Sequence, residues 1–265
     1  MSFDVFTSLR IGEWGHGPCV RNLLPAHVAQ RTPQVDSDSA APTDKTQHPL
    51  AAHVPLWLAH VHRLVDASRL VHAALPEWTA APTAHDIISS DAVRELCNAA
   101  QAGTPLRASL RVSASGSICA ISAPLSAPPD TPPTVRLDTQ ETRIDGPFTK
   151  LKTSARKTYD DARARVSGTL VPGNGVFDVL LWHRDGDERV VTESSIANLI
   201  VESPDGQLFT PTFEHLLPGL LVQELCRMGL VTQRRITVAD LVRWSGTHTL
   251  YLCNAVRGMF RIVIE

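Results

Sequence analysis

The sequence contains none of the short motifs that organise a metal ion, a dinucleotide or an acyl-enzyme. Its five cysteines, Cys19, Cys97, Cys119, Cys226 and Cys253, are odd in number, lie far apart and include no C-x-x-C pair. Such spacing predicts neither a disulfide framework nor a zinc site, and fits a reducing compartment. The G-x-G-x-x-G fingerprint and the Walker loop are absent. No G-x-S-x-G elbow surrounds Ser194 and Ser195, which argues against a serine hydrolase. There is also little charge imbalance: 25 basic against 27 acidic residues leave a net charge of −2, too weak a field to gather nucleic acid or an anionic membrane. A small neutral-to-anionic molecule is the expected partner. No apolar run is long enough to span a bilayer, and the opening MSFDVFTSLR lacks the basic start and apolar stretch of a secretion signal, so a soluble, cytoplasmic protein is expected. No internal repeat is visible.

What is present divides into two rhythms. At 265 residues the chain is long enough for two domains of common size. FDVFTSLRI, residues 3–11, is rich in β-branched and aromatic residues and predicts a first strand. Residues about 30–55 are polar, proline-bearing and aperiodic, the mark of an insertion loop. Apolar residues at helical spacing predict a helix over 56–75 and a second over 91–100. LRASLRVSASGSICAISAPL alternates around Ser115-Gly116 as a hairpin does. Residues 1–146 thus read as an N-terminal α+β domain. After the proline-rich 126–137 and a boundary near Gly146, residues 147–265 read as a mostly β domain. Its predicted helices lie near 155–165, 219–228 and 238–243. Its strands include FDVLLWHR, VVTE, ANLIVE, LFTP, VTQRRIT, TLYLCNA and MFRIVIE.

Three features of the second domain point to one chemistry. Lys150 and Lys152 stand where an extended segment meets a helix, and a lysine of lowered pKa in such a place can form a Schiff base. Glu193 ends a strand in TESSIAN, where a carboxylate can keep a heterocyclic ring nitrogen protonated. Pro218-Gly219 in HLLPGLL opens a helix whose first N–H groups can cradle a phosphate. Taken singly, each has a plainer reading, as a solvated lysine, a surface carboxylate and a turn. His60 and His62 are expected on a helix face rather than on a metal, since no third ligand follows at a telling spacing, and no metal site is predicted.

The order of the motifs resembles the fold-type IV pyridoxal 5'-phosphate (PLP) enzymes, the class IV aminotransferase family. That family includes branched-chain and D-amino-acid aminotransferases and 4-amino-4-deoxychorismate lyase. The resemblance runs over nearly the whole chain. It begins at FTSLR and continues with H-x-x-R-L at His60, Arg63 and Leu64 and with K-T-x-x-R at Lys152, Thr153 and Arg156. It then takes in T-E-S-S-I-A-N, L-L-P-G and C-N-A-V-R-G at 253–258. It implies an α+β, two-domain fold like that of D-amino-acid aminotransferase, with a smaller N-terminal domain and a larger, mostly β, C-terminal PLP-binding domain. It implies Lys152 as the catalytic, cofactor-linked lysine and Glu193 as the partner of the pyridine nitrogen. Arg63 and the backbone N–H groups of Leu220 and Leu221 are implied as phosphate ligands, and Asn198 as a supporting residue. Asn254 and Arg257 fall near the site in the same pattern. The stretch LKTSARKTYDDARARV with FDVLLW and TESSIANLIV is most similar to the lyase branch, which forms 4-aminobenzoate and pyruvate on the way to folate. A class IV aminotransferase acting on a branched-chain or D-amino acid, or on an amine, is the alternative, and a degenerate, non-catalytic member is a third reading. Family members are mostly homodimers, so a homodimer is implied here. Two positions depart from the pattern. Val222 stands where most relatives have Arg, and Ala255 stands where a hydroxyl often reaches the phosphate.

Overall fold

The computed structural model describes residues 3–12, 20–21, 48–127, 129–142 and 150–265. The chain divides into two compact units, one of Met1–Trp14, Leu24–Ser126 and Lys152–Ala155, the other of Gly15–Leu23, Ala127–Leu151 and Arg156–Glu265. The predicted boundary near Gly146 and most of the predicted insertion loop lie outside the described residues.

The chain begins with β1 (Val5–Ile11) and β2 (Val20–Arg21), of which β1 belongs to the first unit and β2 to the second. In the first unit there follow a 3-10 turn at Pro49–Ala52, α1 (Trp57–Ala74), α2 (Ala84–Ile88), α3 (Asp91–Ala100) and the hairpin of β3 (Leu106–Val112) and β4 (Ile118–Pro124). β1, β3 and β4 form an antiparallel sheet in that order. Alternation along the strands puts Val5, Thr7, Leu9 and Ile11 on one face, together with Ala108, Leu110 and Val112 opposite them. That face is sealed from water, and α1 packs on it with Val61, Leu64 and Val71 buried. Gly116, at φ +80°, turns the hairpin where glycine was expected. The segment after Leu151 adds to the free edge of β1. Phe6 N–H donates to Lys152 O at 2.9 Å, Thr153 bridges to Val5, and Ser154 N–H donates to Asp4 O at 2.8 Å.

The second unit contains β5 (Thr134–Leu137), α4 (Lys157–Arg165), β6 (Val176–Asp185), β7 (Glu188–Ser194), β8 (Asn198–Glu202) and β9 (Leu208–Thr210). After a 3-10 turn at Phe213–His215 come α5 (Leu220–Arg227), β10 (Thr232–Gln233), α6 (Val238–Arg243), β11 (Thr249–Asn254) and β12 (Gly258–Ile264). Its strands pair in the order β10-β9-β8-β11-β12-β5-β6-β7, with β2 on β12, and β7 pairs back onto β8. The pairing therefore closes into a circuit. Leu180 and Trp182 of β6 join Leu199, Val201, Leu252, Phe260 and Ile262 in one core cluster. Val179 and Leu181 join Ala162 and Val166 in a second, beneath α4. A strand covered on both faces reads as the near-continuous apolar run FDVLLW.

The structure adds two short elements and corrects the extent of one strand. Within the described end of the expected loop, Pro49–Ala52 form a 3-10 turn, with Leu50 buried and His48 Nδ1 accepting from Leu50 N–H at 3.2 Å. VTQRRIT pairs over only two residues, parallel to β9, and Arg234 N–H then donates to Thr210 O at 2.8 Å. α2 was not predicted, although Thr83 and Asp86 close its capping box.

At the end of β5, Asp138 is buried and takes Nε and Nη2 of Arg165 at 2.8 and 2.5 Å, joining the strand to the last turn of α4. Trp182 Nε1 donates to Asp138 O at 2.8 Å. Replacing Arg165 by Met strands the carboxylate in the interior. Urea unfolding is expected to show a loss of about 2–4 kcal/mol, somewhat below the 3–5 typical of a broken buried pair because the Arg165 side chain is partly exposed.

Candidate active site

The geometry distinguishes the two lysines, of which Lys152 belongs to the first unit. Lys150 is exposed, while Lys152 is half-buried in the strand-like segment beside β1, its Nζ 5.0 Å from the centre of the Phe6 ring. Arg111 shares the ring, with its Cζ at 5.7 Å. Arg63, in the second turn of α1, reaches Thr7 Oγ1 with Nη2, and its Nε is buried with no partner among the described residues. Burial alone pulls the Arg63 guanidinium down from 12.5 to about 10. A guanidinium in that state is stabilised by any anion that reaches it. His60, one turn before Arg63, is wholly buried with Nδ1 2.6 Å from Thr7 Oγ1. The His60 ring is therefore on a helix face and turned to β1.

In the second unit, Glu193 is buried at the end of β7. Its Oε1 accepts from the Tyr159 hydroxyl at 2.9 Å and from Leu217 N–H at 3.0 Å. Asn198 Nδ2 lies 3.5 Å from Oε2. Burial, and then the charge of Glu193, push the Tyr159 hydroxyl far above its ordinary pKa, so it stays protonated as a donor. The serines after Glu193 are turn fasteners. Ser194 Oγ donates to Ala197 O at 3.0 Å, and Ser195 Oγ donates to Asp178 at 2.5 Å while accepting from Arg163 at 2.8 Å. Arg156 Nη2 holds the Ser195 carbonyl.

Asn198 links this turn to the start of α5. Its Nδ2 donates to Leu217 O at 2.9 Å and its Oδ1 accepts from Gly219 N–H at 2.9 Å. A Cβ at Gly219 would run into Asn198 Oδ1, so the position requires glycine. No side chain caps α5, and the N–H groups of Leu220 and Leu221 in its first turn lack helical acceptors by construction. Val222 is wholly buried, and Ala255 is buried in the turn after β11. In that turn Asn254 Oδ1 accepts from Val256 N–H at 3.0 Å and Arg257 N–H at 2.8 Å. The residues implied by resemblance thus form two groups, each within its own unit: Lys152 and Arg63 at adjacent residues of β1, and Glu193, Leu220 and Leu221 joined through Asn198 and Leu217.

A sequence profile of the family described as amino-transferase class IV matches residues 50–264. The chain belongs to the class IV aminotransferase family. Enzymes of this family depend on PLP. Its fold is shared with a provisionally assigned amino-acid aminotransferase of Mesorhizobium loti, at TM-score 0.67 and 21% identity over 99% of this chain and 100% of that one. A provisionally assigned 4-amino-4-deoxychorismate lyase of Legionella pneumophila superposes at 0.62, with 14% identity over 98% and 82% of the two chains. A hypothetical aminotransferase of Mycobacterium tuberculosis in its PLP-bound form superposes at 0.64, with 16% identity over 99% and 81%. No curated protein matches the sequence. The α+β architecture, with one small sheet and one large mixed sheet, is that of the class IV fold.

The residues present fit the family's cofactor. An orphaned guanidinium edge and an uncapped helix start are both suited to a phosphate. A carboxylate held by two donors on Oε1 is suited to a cationic ring nitrogen. Tyr159, Thr7 and the coupling role of Asn198 escaped the sequence reading, although Tyr159 lies one helical turn after Arg156 of K-T-x-x-R. Gly219→Ala is expected to displace Asn198 and weaken PLP binding about tenfold or more, the size of one lost hydrogen bond plus strain. Fluorescence titration of the apoprotein with PLP measures it.

Proposed function

We propose that this class IV chain is a PLP-dependent lyase that converts 4-amino-4-deoxychorismate into 4-aminobenzoate and pyruvate. The observation that carries the choice of substrate is the charge of the sheet face beside Lys152. In the register of β1 and β3, Phe6 stands opposite Arg111, Ser8 opposite Ser109 and Arg10 opposite Arg107, so three arginines share that face with the lysine. Among the described residues, Arg111 has Asp4 in reach, at 3.6 Å. Such a surface suits a substrate with two carboxylates, as aminodeoxychorismate has, and gives little to an apolar branched side chain. The sequence stretch around Lys152 and Glu193 supports the same branch.

Bound PLP supplies an aldehyde for the substrate amine and an electron sink for the reacting carbon. The chain's residues do the rest. Lys152 Nζ would remove the proton from the carbon that bears the substrate amine and return a proton to the departing enolpyruvyl group, which leaves as pyruvate. Glu193, fixed by Tyr159 and Leu217 N–H, keeps the ring nitrogen cationic. Arg63 and the N–H groups of Leu220 and Leu221 hold the phosphate. Gain of aromaticity drives the elimination, so binding, orientation and proton transfer suffice. The proposal includes a homodimer, on family resemblance, and a cytoplasmic location.

Pyruvate is expected from aminodeoxychorismate with no keto acid present. Turnover that appears only when a keto acid acceptor is added indicates the aminotransferase alternative. Borohydride reduction and peptide mapping are expected to place the pyridoxyl group on Lys152 in the wild-type protein and in Lys150→Ala, and nowhere in Lys152→Ala. Arg111→Met is expected to lower kcat/KM for the dianionic substrate by about tenfold to a hundredfold, the range for losing a hydrogen bond to a charged group, with the visible spectrum of bound cofactor unchanged.

A further inference from the structure

We infer that Thr7 and His60 are positioning residues that aim the Arg63 guanidinium at the cofactor phosphate, which rests on Arg63 taking the role proposed above. Thr7 is fully buried at the centre of the arrangement. Its Oγ1 accepts from Nη2 of Arg63 and lies 2.6 Å from Nδ1 of His60. A hydroxyl has one proton to give. Thr7 Oγ1 can accept from Arg63 and still give that proton to Nδ1 of His60; in this arrangement the imidazole is neutral and carries its own hydrogen on Nε2, a buried atom with no partner among the described residues. Burial, with the nearby charges of Arg63 and Lys152, holds the ring in that neutral state. In this arrangement the donors run one way, from Arg63 to Thr7 to His60.

The direction has a consequence for Arg63. A guanidinium is a rigid planar fork of five N–H groups, so fixing Nη2 fixes where the others point. Nε, buried and without a partner among the described residues, is left for an anion. The choice of histidine as terminal acceptor also matters. A carboxylate in its place would neutralise Arg63, whereas a neutral imidazole anchors Thr7 and leaves the full positive charge available. No ion pair to Arg63 occurs among the described residues, and burial is what shifts its pKa.

The ratio of apoprotein affinities for PLP and for pyridoxal, which lacks the phosphate, isolates this role. Arg63→Gln is expected to collapse the ratio. Thr7→Val, close in shape to the native residue, is expected to lower it about tenfold, the worth of one ordinary hydrogen bond. Thr7→Ser is expected to restore it, His60→Asn to lower it as Thr7→Val does, and Thr7→Val to add nothing in the Arg63→Gln background. A wild-type ratio in Thr7→Val, or an equal drop with and without Arg63, overturns the inference while leaving Arg63 as phosphate ligand. A wild-type ratio in Arg63→Gln removes Arg63 from the phosphate site, and the inference with it.

Discussion

The second unit depends on a pairing of one residue with one residue. Glu193 opposite Asn198 is the register by which β7 meets β8, and it is the step that closes the strand circuit. The turn between them is short enough to be held by its own serines, with Ser194 bridging to Ala197 and Ser195 tied inward to Asp178. Closure leaves both side chains buried and close together. Each must then find polar partners, since an unsatisfied buried carboxylate or amide is costly. The partners they find, Tyr159, Leu217 and Gly219, are the groups that orient α4 and begin α5. One closure thus sets the carboxylate, the helix start and the brace between them, which places proposed catalytic and cofactor-binding groups on rigid structure rather than on a wandering loop.

The first unit works by a different constraint. Adjacent residues of a strand face opposite ways, and β1 uses this at Phe6 and Thr7. Phe6 offers a ring face to two cations, Lys152 and Arg111. Thr7 turns to α1 and engages Arg63 and His60. Two positively charged side chains implied in the same chemistry are thereby held by neighbouring residues yet kept on different sides of a peptide plane.

Much of this was legible in the sequence, and the illegible parts share a reason. α1, α3, the β3–β4 hairpin and the strands of the second unit follow periodicities that extend over many residues, which burial of one face enforces. K-T-x-x-R and L-P-G stood out because their residues are contiguous. The contacts that were missed join residues distant in sequence, 53 apart for Thr7 and His60 and 34 apart for Tyr159 and Glu193. Nothing in a local pattern marks such pairs. α2 is a different kind of omission, since Thr83-x-x-Asp86 carries a capping signal and only the helix's five-residue length hid it. The 3-10 turn at Pro49–Ala52 escaped because a single buried leucine has no period.

The segment that carries Lys152 has a second effect, on the edge of a sheet. Lys152–Ala155 belongs to the first unit while Leu151 and Arg156, on either side, belong to the second. Its backbone covers the flank of β1 that β3 leaves open. Uncovered, that flank would present unpaired amides and carbonyls to any passing strand, the usual start of edge-to-edge aggregation. A fragment ending at Ser126 would lack its cover. The lysine-bearing segment is therefore also the guard of the sheet on which it rests, so a change that loosened it would expose an open strand edge as well as move Lys152.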